Sequence, residues 1–319
     1  MNAPPAQTWP FITLLIFAQA VLLSAEALAQ SATKPNPLAF VAAGPNEFSF
    51  DTGVLQGTLR AKGESTGLSS VIHKPTGVRL DRSKGLFGHY RVFTANKRFG
   101  PGAWDWPSTA RLLADGAVET HWASAADRPF EMWAVYRWAA PGTLDVETRV
   151  QAEADLVKFE SFLACYFNEG FSNSLAYVRE PGSGAGTPGF LAAEQPAGVW
   201  QMFPRDAVVV PIIQDGRWKL EPHPVDWVIR PLLAMPLGVR RAPASSLAAV
   251  LMAPAGDCFA ICTPHQTEGH YSMYLSLFGR DVKKGETARA RARLMIAPGL
   301  ADDQAVEAYG AFVRETSGL

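Results

Sequence analysis

Cysteine is scarce in this sequence: Cys165, Cys258 and Cys262 are the three in 319 residues. That number excludes a disulfide framework as the source of stability, although one bridge remains open in an oxidising compartment. Cys258 and Cys262 lie in Asp257-Cys-Phe-Ala-Ile-Cys262, which reads as a strand. Four residues of strand span about 13 Å, too far for a bridge between the two. Either can meet Cys165, but a buried free thiol is the commoner outcome. An excess of either charge is also lacking, since 29 Lys and Arg face 30 Asp and Glu. Such a chain makes no electrostatic case for binding nucleic acid, so its partners are expected to be selected by shape and hydrogen bonding. There is no P-loop, dinucleotide fingerprint, HExxH motif or internal repeat, and no cofactor is expected.

Positive charge is absent at the start of the chain, where no Lys or Arg precedes Lys34. The apolar run Phe11-Ile-Thr-Leu-Leu-Ile-Phe-Ala18 continues to Leu22-Leu23 and is followed by Ala27-Leu28-Ala29. Residues 1–29 therefore read as a cleavable signal peptide with an A-x-A site, the terminal amine serving as its positive end. An uncleaved anchor is the alternative reading. The run is short of the roughly 20 residues a span needs, and Glu26 interrupts its end, so cleavage after Ala29 is expected. The expected location is the periplasm or exterior of a bacterial cell, with no membrane span left after cleavage. Loss of Glu26 moves the formal charge from −1 to zero.

The remainder is expected to be one all-β domain, a large antiparallel β-sandwich with a short C-terminal helix. Residues 30–46 are rich in Ser, Ala, Pro and Gly and read as a flexible lead-in to a domain at 47–300. Thr143–Val150 alternates cleanly, with Leu144, Val146 and Val150 opposite Asp145, Glu147 and Arg149. Residues 287–295 repeat the pattern, with alanines and Leu294 opposite Arg289, Arg291 and Arg293. Both read as half-buried strands, and the arginine row is better explained by cross-strand carboxylates than by an anionic ligand. Phe130–Trp138 and Val157–Phe167 are apolar on both faces, as expected for central strands. Residues 179–198, dominated by Gly, Pro and Ala, read as a long surface loop of the kind that serves as a lid. In 301–319, Asp302 and Asp303 precede Val306, Tyr309, Phe312 and Val313 at helical spacing, so a helix is expected to pack on the outside of a sheet.

Three segments resemble the galactose mutarotase-like β-supersandwich superfamily, which includes aldose 1-epimerases and domains of polysaccharide lyases and glycosidases. They are Asp51-Thr-Gly-Val-Leu-Gln-Gly-Thr-Leu-Arg60 with Ser69–His73 and the Pro75-Thr-Gly-Val-Arg79 turn; Tyr166-Phe167-Asn168 at the end of a central strand; and the closing strand entered through Lys284-Gly-Glu-Thr287. The resemblance covers most of residues 47–297 and implies the supersandwich fold and, by analogy, a carbohydrate-related role. It also exposes a departure. Ala164 stands where the resemblance would place the general-acid His of an epimerase, which puts mutarotase activity in doubt.

The densest polar and aromatic cluster runs from Gly88 to Ser108 and contains His89, Tyr90, Arg91, Arg98, Trp104, Asp105 and Trp106. A sugar presents an apolar ring face and a rim of hydroxyls; Trp104 or Trp106 can stack on the face while Asp105, Arg98 and His89 take the rim. Against this stands the reading in which both tryptophans fold into the core and Asp105 caps a turn. A second cluster, Thr263–Tyr271, offers Glu268 and His270 as an acid–base pair; His270 bonded to a loop carbonyl is the bland alternative. Glu160 is the third candidate, on the strand face of Phe162, Ala164 and Tyr166. It needs a partner there, either in a binding cleft or as a structural ion pair. Trp200, Arg205, Trp218, Trp227 and Arg230 can wall the same cleft, with core packing the simpler account for Trp218 and Trp227. His73, His121 and His223 read as structural or solvent-exposed.

Two functional readings follow. In the first, the protein is an exported carbohydrate-active enzyme working by cofactor-free acid–base chemistry: an epimerase, lyase or hydrolase. Its catalytic candidates are His89, Asp105, Glu160, Glu268 and His270, and its sugar-binding candidates are Tyr90, Arg91, Arg98, Trp104, Trp106, Tyr166 and Arg230. In the second it is a non-catalytic carbohydrate-binding or envelope scaffold protein, which the Ala at 164 favours. A metal site from His89, Asp105 and His270 matches no ligand spacing and is not expected.

Overall fold

Alternating burial runs through most strands of the computed structural model, which describes Met1 and residues 38–63, 66–182 and 186–318, Ser83 in backbone alone. The expected signal peptide lies outside the described residues, as does the lead-in up to residue 37. Every element below belongs to the unit Pro37–Leu319. The chain moves between two sheets. The first sheet takes β1 (Val41–Gly44), β2 (Glu47–Asp51), β3 (Leu55–Arg60), β4 (Gly67–His73), β5 (Val78–Arg79), β6 (Asp81–Thr94) and β7 (Lys97–Arg98). The second begins with β8 (Thr109–Leu112), β9 (Val118–Trp122), β10 (Phe130–Ala140) and β11 (Thr143–Ala152). β12 (Leu156–Phe167) returns to the first sheet, and β13 (Asn173–Val178) and β14 (Gly189–Ala192) to the second. β15 (Trp200–Pro204), the short helix α1 (Val210–Ile213) and β16 (Val228–Ile229) follow on the first sheet side. β17 (Leu233–Ala242) and β18 (Leu247–Met252) join the second, β19 (Cys258–Pro264) and β20 (Ser272–Val282) the first, and β21 (Thr287–Pro298) the second, before helix α2 (Asp302–Ser317).

The first sheet runs β1-β2-β3-β4-β6-β12-β20-β19-β15-β16, with β5 on β4 and β7 on β6; the second runs β14-β13-β17-β18-β21-β11-β10-β9-β8. Pairing is antiparallel except between β15 and β16. The inner faces share one apolar core, to which β12 contributes Phe159, Leu163 and Phe167 and β11 contributes Leu144, Val146 and Val150. On the far side of the second sheet, Ala305, Tyr309 and Phe312 of α2 pack against Leu237, Val239 and Val250. The i, i+4, i+7 spacing puts these three on one helix face.

β11 and β21 pair so that Asp145 faces Arg293 and Glu147 faces Arg291. Arg293 bonds Asp145 at 2.6 Å and Glu315 of α2 at 2.7 Å. Arg291 passes over Glu147 to reach Asp257 at 2.9 Å, and Arg289 lies 3.9 Å from Glu147. The arginine row is thus satisfied within the protein.

Three expectations need correction. Ordered structure begins before Glu47, because Val41–Gly44 pairs with β2 and the backbone of a Pro-poor stretch can complete a sheet edge. β10 buries one face rather than two: Phe130, Met132, Ala134, Tyr136 and Trp138 point inward, while Trp133 on the other face lies between His121 and Arg149. Its outward aromatic surface is covered by long polar side chains instead of by another layer. Residues 179–198 are not one long loop, since Gly189–Ala192 is an edge strand on β13. All three cysteines are buried free thiols; burial pushes the Cys258 thiol up to about 12.

Candidate functional site

The outer face of the first sheet carries a second apolar cluster, and β12 belongs to both. Period-two alternation sends Phe162, Ala164 and Tyr166 outward while their neighbours enter the core. Beside β12, strand β6 breaks that period. Val92 pairs with Ser161 and His89 with Leu163, so Tyr90 and Arg91 together stand opposite the single residue Phe162. This bulge reverses strand parity, turning His89 inward and leaving both Tyr90 and Arg91 on the outer face.

His89 is therefore a core residue. It is 1% exposed, with Nδ1 2.9 Å from Ser161 Oγ and Nε2 3.1 Å from Thr148 Oγ1. Burial pushes its pKa down to about 3, so it is neutral and held by two hydroxyls. Glu160 faces outward as expected, but its partner is Arg217, fully buried at 3.0 Å. Arg217 also bonds Asp215 at 2.9 Å and donates to the Lys158 carbonyl at 2.9 Å. Burial raises the Glu160 pKa despite the guanidinium beside it. This network pins the segment 205–227, whose Ile212, Ile213, Trp218 and Val225 cover the sheet.

Between that segment and β6 lies a cleft of about 520 Å³. Its floor is Phe162 and Tyr166 from β12 and Tyr274 from β20. Tyr274 is the cross-strand partner of Ala164 and stacks on Phe162 at 4.4 Å. One wall is Tyr90, Arg91 and Trp104, the last stacked on Tyr90 at 4.1 Å and 13°. Gly102 permits that stack, because a Cβ there would come within 2.9 Å of Trp104 and 3.0 Å of Tyr90. The other wall is Trp200, Trp218 and Trp227, with Pro224 and Val225 above them. Lys84, Asp105, His223 and His270 bring polar groups to it.

His270 is the titratable group best placed to move a proton. Its Nδ1 bonds Glu268 Oε2, and its backbone N–H donates to Glu268 Oε1 at 2.9 Å. The His270 side chain is 55% exposed while that of Glu268 is 3% exposed, so the carboxylate sits behind the ring. The hydrogen bond to Glu268 raises the His270 pKa. With Nδ1 engaged, Nε2 is the nitrogen left for a ligand. The Tyr166 ring meets His270 edge to face at 6.0 Å, and Tyr274 at 5.7 Å. Burial pushes both phenols well above their ordinary value.

The cleft thus gathers Asp105, His270, Tyr90, Arg91, Trp104 and Tyr166, with Glu268 behind. It excludes His89, Glu160, Arg98, Trp106 and Arg230. Arg98 is spent on backbone: it donates to the carbonyls of Gly100, Pro101 and Pro222, stapling two loops together. Trp106 is in the inter-sheet core against Phe130, under the Arg128 guanidinium. The Arg230 guanidinium lies over Phe203, outside the cleft lining. With His89 on the opposite sheet face, the triad His89, Asp105 and His270 cannot share a metal. Among the described residues no group of three His, Cys, Asp or Glu is placed to hold one. Lys84 and Tyr274 are cleft residues that inspection of the sequence does not single out, whereas Phe162 comes with the strand face of Glu160 and Tyr166. Tyr274 had one signal: it is aromatic on a strand where Ser272 and Ser276 share its face.

No family model and no curated protein matches this chain. Solved structures do. A galactose mutarotase-like protein from Lactobacillus casei ATCC 334 superposes with a TM-score of 0.51 at 10% identity, over 79% of this chain and all of that one. The alpha-N-acetylgalactosaminidase NagBb from Bifidobacterium bifidum, as a quadruple mutant, gives a TM-score of 0.54 at 14% identity, over 84% of this chain. The match spans 39% of that longer protein. At such identities the likeness is one of fold. The fold is a divergent galactose mutarotase-like β-sandwich.

Proposed function

We propose that this chain is an exported carbohydrate-active enzyme that works by acid–base chemistry in the cleft above β12 and β20. The observation that carries the reading is the His270–Glu268 pair at the edge of a cavity lined by stacked aromatics. Tryptophan and tyrosine faces suit the apolar side of a sugar ring, and the fold neighbours named above include a galactosaminidase. His270 is the proton-transfer group, Glu268 orients it and favours its charged form, and Tyr166 and Tyr274 supply hydroxyls. Asp105 is the carboxylate lining the cleft among the described residues. Hydrolysis by two facing carboxylates needs a second one, so epimerisation or elimination suits this lining better.

One observation favours a non-catalytic sugar-binding protein instead: Ala164 occupies the position where the resemblance places a general acid. A panel of oligosaccharides and uronates, assayed with wild type and His270→Ala, separates the two. Turnover lost in His270→Ala supports the enzyme, whereas binding without turnover in wild type supports the scaffold. Export predicts a mature N-terminus at Gln30, which N-terminal sequencing of the periplasmic or secreted protein checks.

A further inference from the structure

Arg91 is a buried charge in the cleft lining. It is 5% exposed, yet its Nε and Nη1 have no hydrogen-bond partner among the described residues. The guanidinium lies between two aromatic faces, 5.1 Å from the Tyr90 ring centroid and 5.2 Å from that of Trp218. These contacts offset part of the desolvation cost but satisfy no N–H. The other buried arginines differ in degree: Arg217 and Arg293 each have two carboxylates, while Arg128 and Arg240 donate to backbone carbonyls and leave only Nε unsatisfied. A buried guanidinium with unsatisfied N–H groups on a sheet face is otherwise destabilising, and an anion such as a carboxylate or a sulfate is the partner its charge selects.

Two further basic side chains border the cleft. Lys84 reaches the cleft with its ammonium 5.5 Å over Trp104, and His270 is biased toward its cationic form. Facing these are Asp105 in the lining and Glu268, bonded to His270 behind it.

We infer that Arg91 is an anion subsite, and that the cleft takes a sugar bearing one negative group, a uronate carboxylate in the first instance. This rests on the reading of the cleft as a sugar site. A single charge is enough, since Arg91 is one guanidinium with no carboxylate among the described residues and the outer arginine row is already paired with carboxylates.

The test compares a glucuronate-containing disaccharide, its neutral glucose counterpart and a sulfated glucose counterpart by calorimetry, with wild type and Arg91→Met. Methionine keeps much of the volume and removes the charge. Wild type is expected to prefer the uronate over the neutral sugar by about 10- to 100-fold, and Arg91→Met to bring that ratio close to one. Without ligand, Arg91→Met is expected to melt higher than wild type, because an unpaired buried charge has been removed. That combination is not produced by a merely structural arginine, whose loss lowers the melting temperature. Preference for the sulfated sugar keeps the subsite and reassigns the anion. Equal binding of uronate and neutral sugar overturns the anion subsite while leaving the sugar site standing; failure of every sugar to bind overturns both.

Discussion

Tyr274 stands directly across the sheet from Ala164, with its ring packed flat on Phe162. The small residue and the large one share a single volume on neighbouring strands. Ala164 is 1% exposed, so a longer side chain has nowhere to go without displacing that ring. Ala164→His is expected to destabilise the protein by about 1–3 kcal/mol, the usual cost of overpacking, without conferring epimerase activity. Urea unfolding and a mutarotation assay check both halves. A variant as stable as wild type that interconverts anomers would refute the packing argument.

Glu268 controls the protonation of His270. The hydrogen bond raises the His270 pKa above 6.5. Glu268→Gln is expected to lower the midpoint, followed by the ring-proton NMR signal, and to move the corresponding limb of any pH–rate profile down with it. A raised histidine pKa contributes stability that is fully present below the unfolded value and is lost as pH rises through the folded one. That dependence should flatten in the variant. A midpoint that stays put would show that the carboxylate does not bias the ring.

His89 has the opposite sign. Its folded pKa of about 3 lies below the ordinary 6.5, so between these values the unfolded chain takes up a proton that the native protein refuses. Its contribution is complete above about pH 6.5 and declines on acidification, with a slope approaching about 1.4 kcal/mol per pH unit. His89→Gln should show a shallower acid slope in urea midpoints measured from pH 7 to pH 4. Parallel slopes would place the titration elsewhere.

The buried network under the cleft wall is asymmetric. Arg217→Met leaves Glu160 buried without its cation and is expected to cost about 3–5 kcal/mol and to open 205–227 to proteolysis. Glu160→Gln should cost less, because Asp215 still holds the guanidinium at 2.9 Å. Equal losses in the two variants, read from urea midpoints, would contradict this order.

Periodic elements were readable from sequence down to individual pairs. The alternation in 143–150 and 287–295 placed the arginine row opposite carboxylates, and the spacing of Tyr309 and Phe312 placed a helix against a sheet. The outward face of β12, from Glu160 to Tyr166, followed from the same logic. What failed was parity across β6. A single inserted residue put His89 and Arg91, which strict alternation would keep together, on opposite faces, and only the partner strand decides where such an insertion falls. Trp104 and Trp106 are two residues apart and looked equivalent, but a turn at Ala103–Asp105 sends one to each cluster. Lys84 reached the cleft through pairings between distant segments, which no local pattern encodes, and Tyr274 carried only the signal of an aromatic between two serines of its face.

β12 carries the core on one face and the cleft floor on the other. Replacements at Phe162 or Tyr166 therefore change which molecules fit while the packing of Phe159, Leu163 and Phe167 lies on the other face. Selection can act on the two sets at different rates, one free to drift toward new ligands and the other tied to folding. A lineage built on such a strand can exchange its chemistry and remain recognisable in outline long after its sequence has ceased to be.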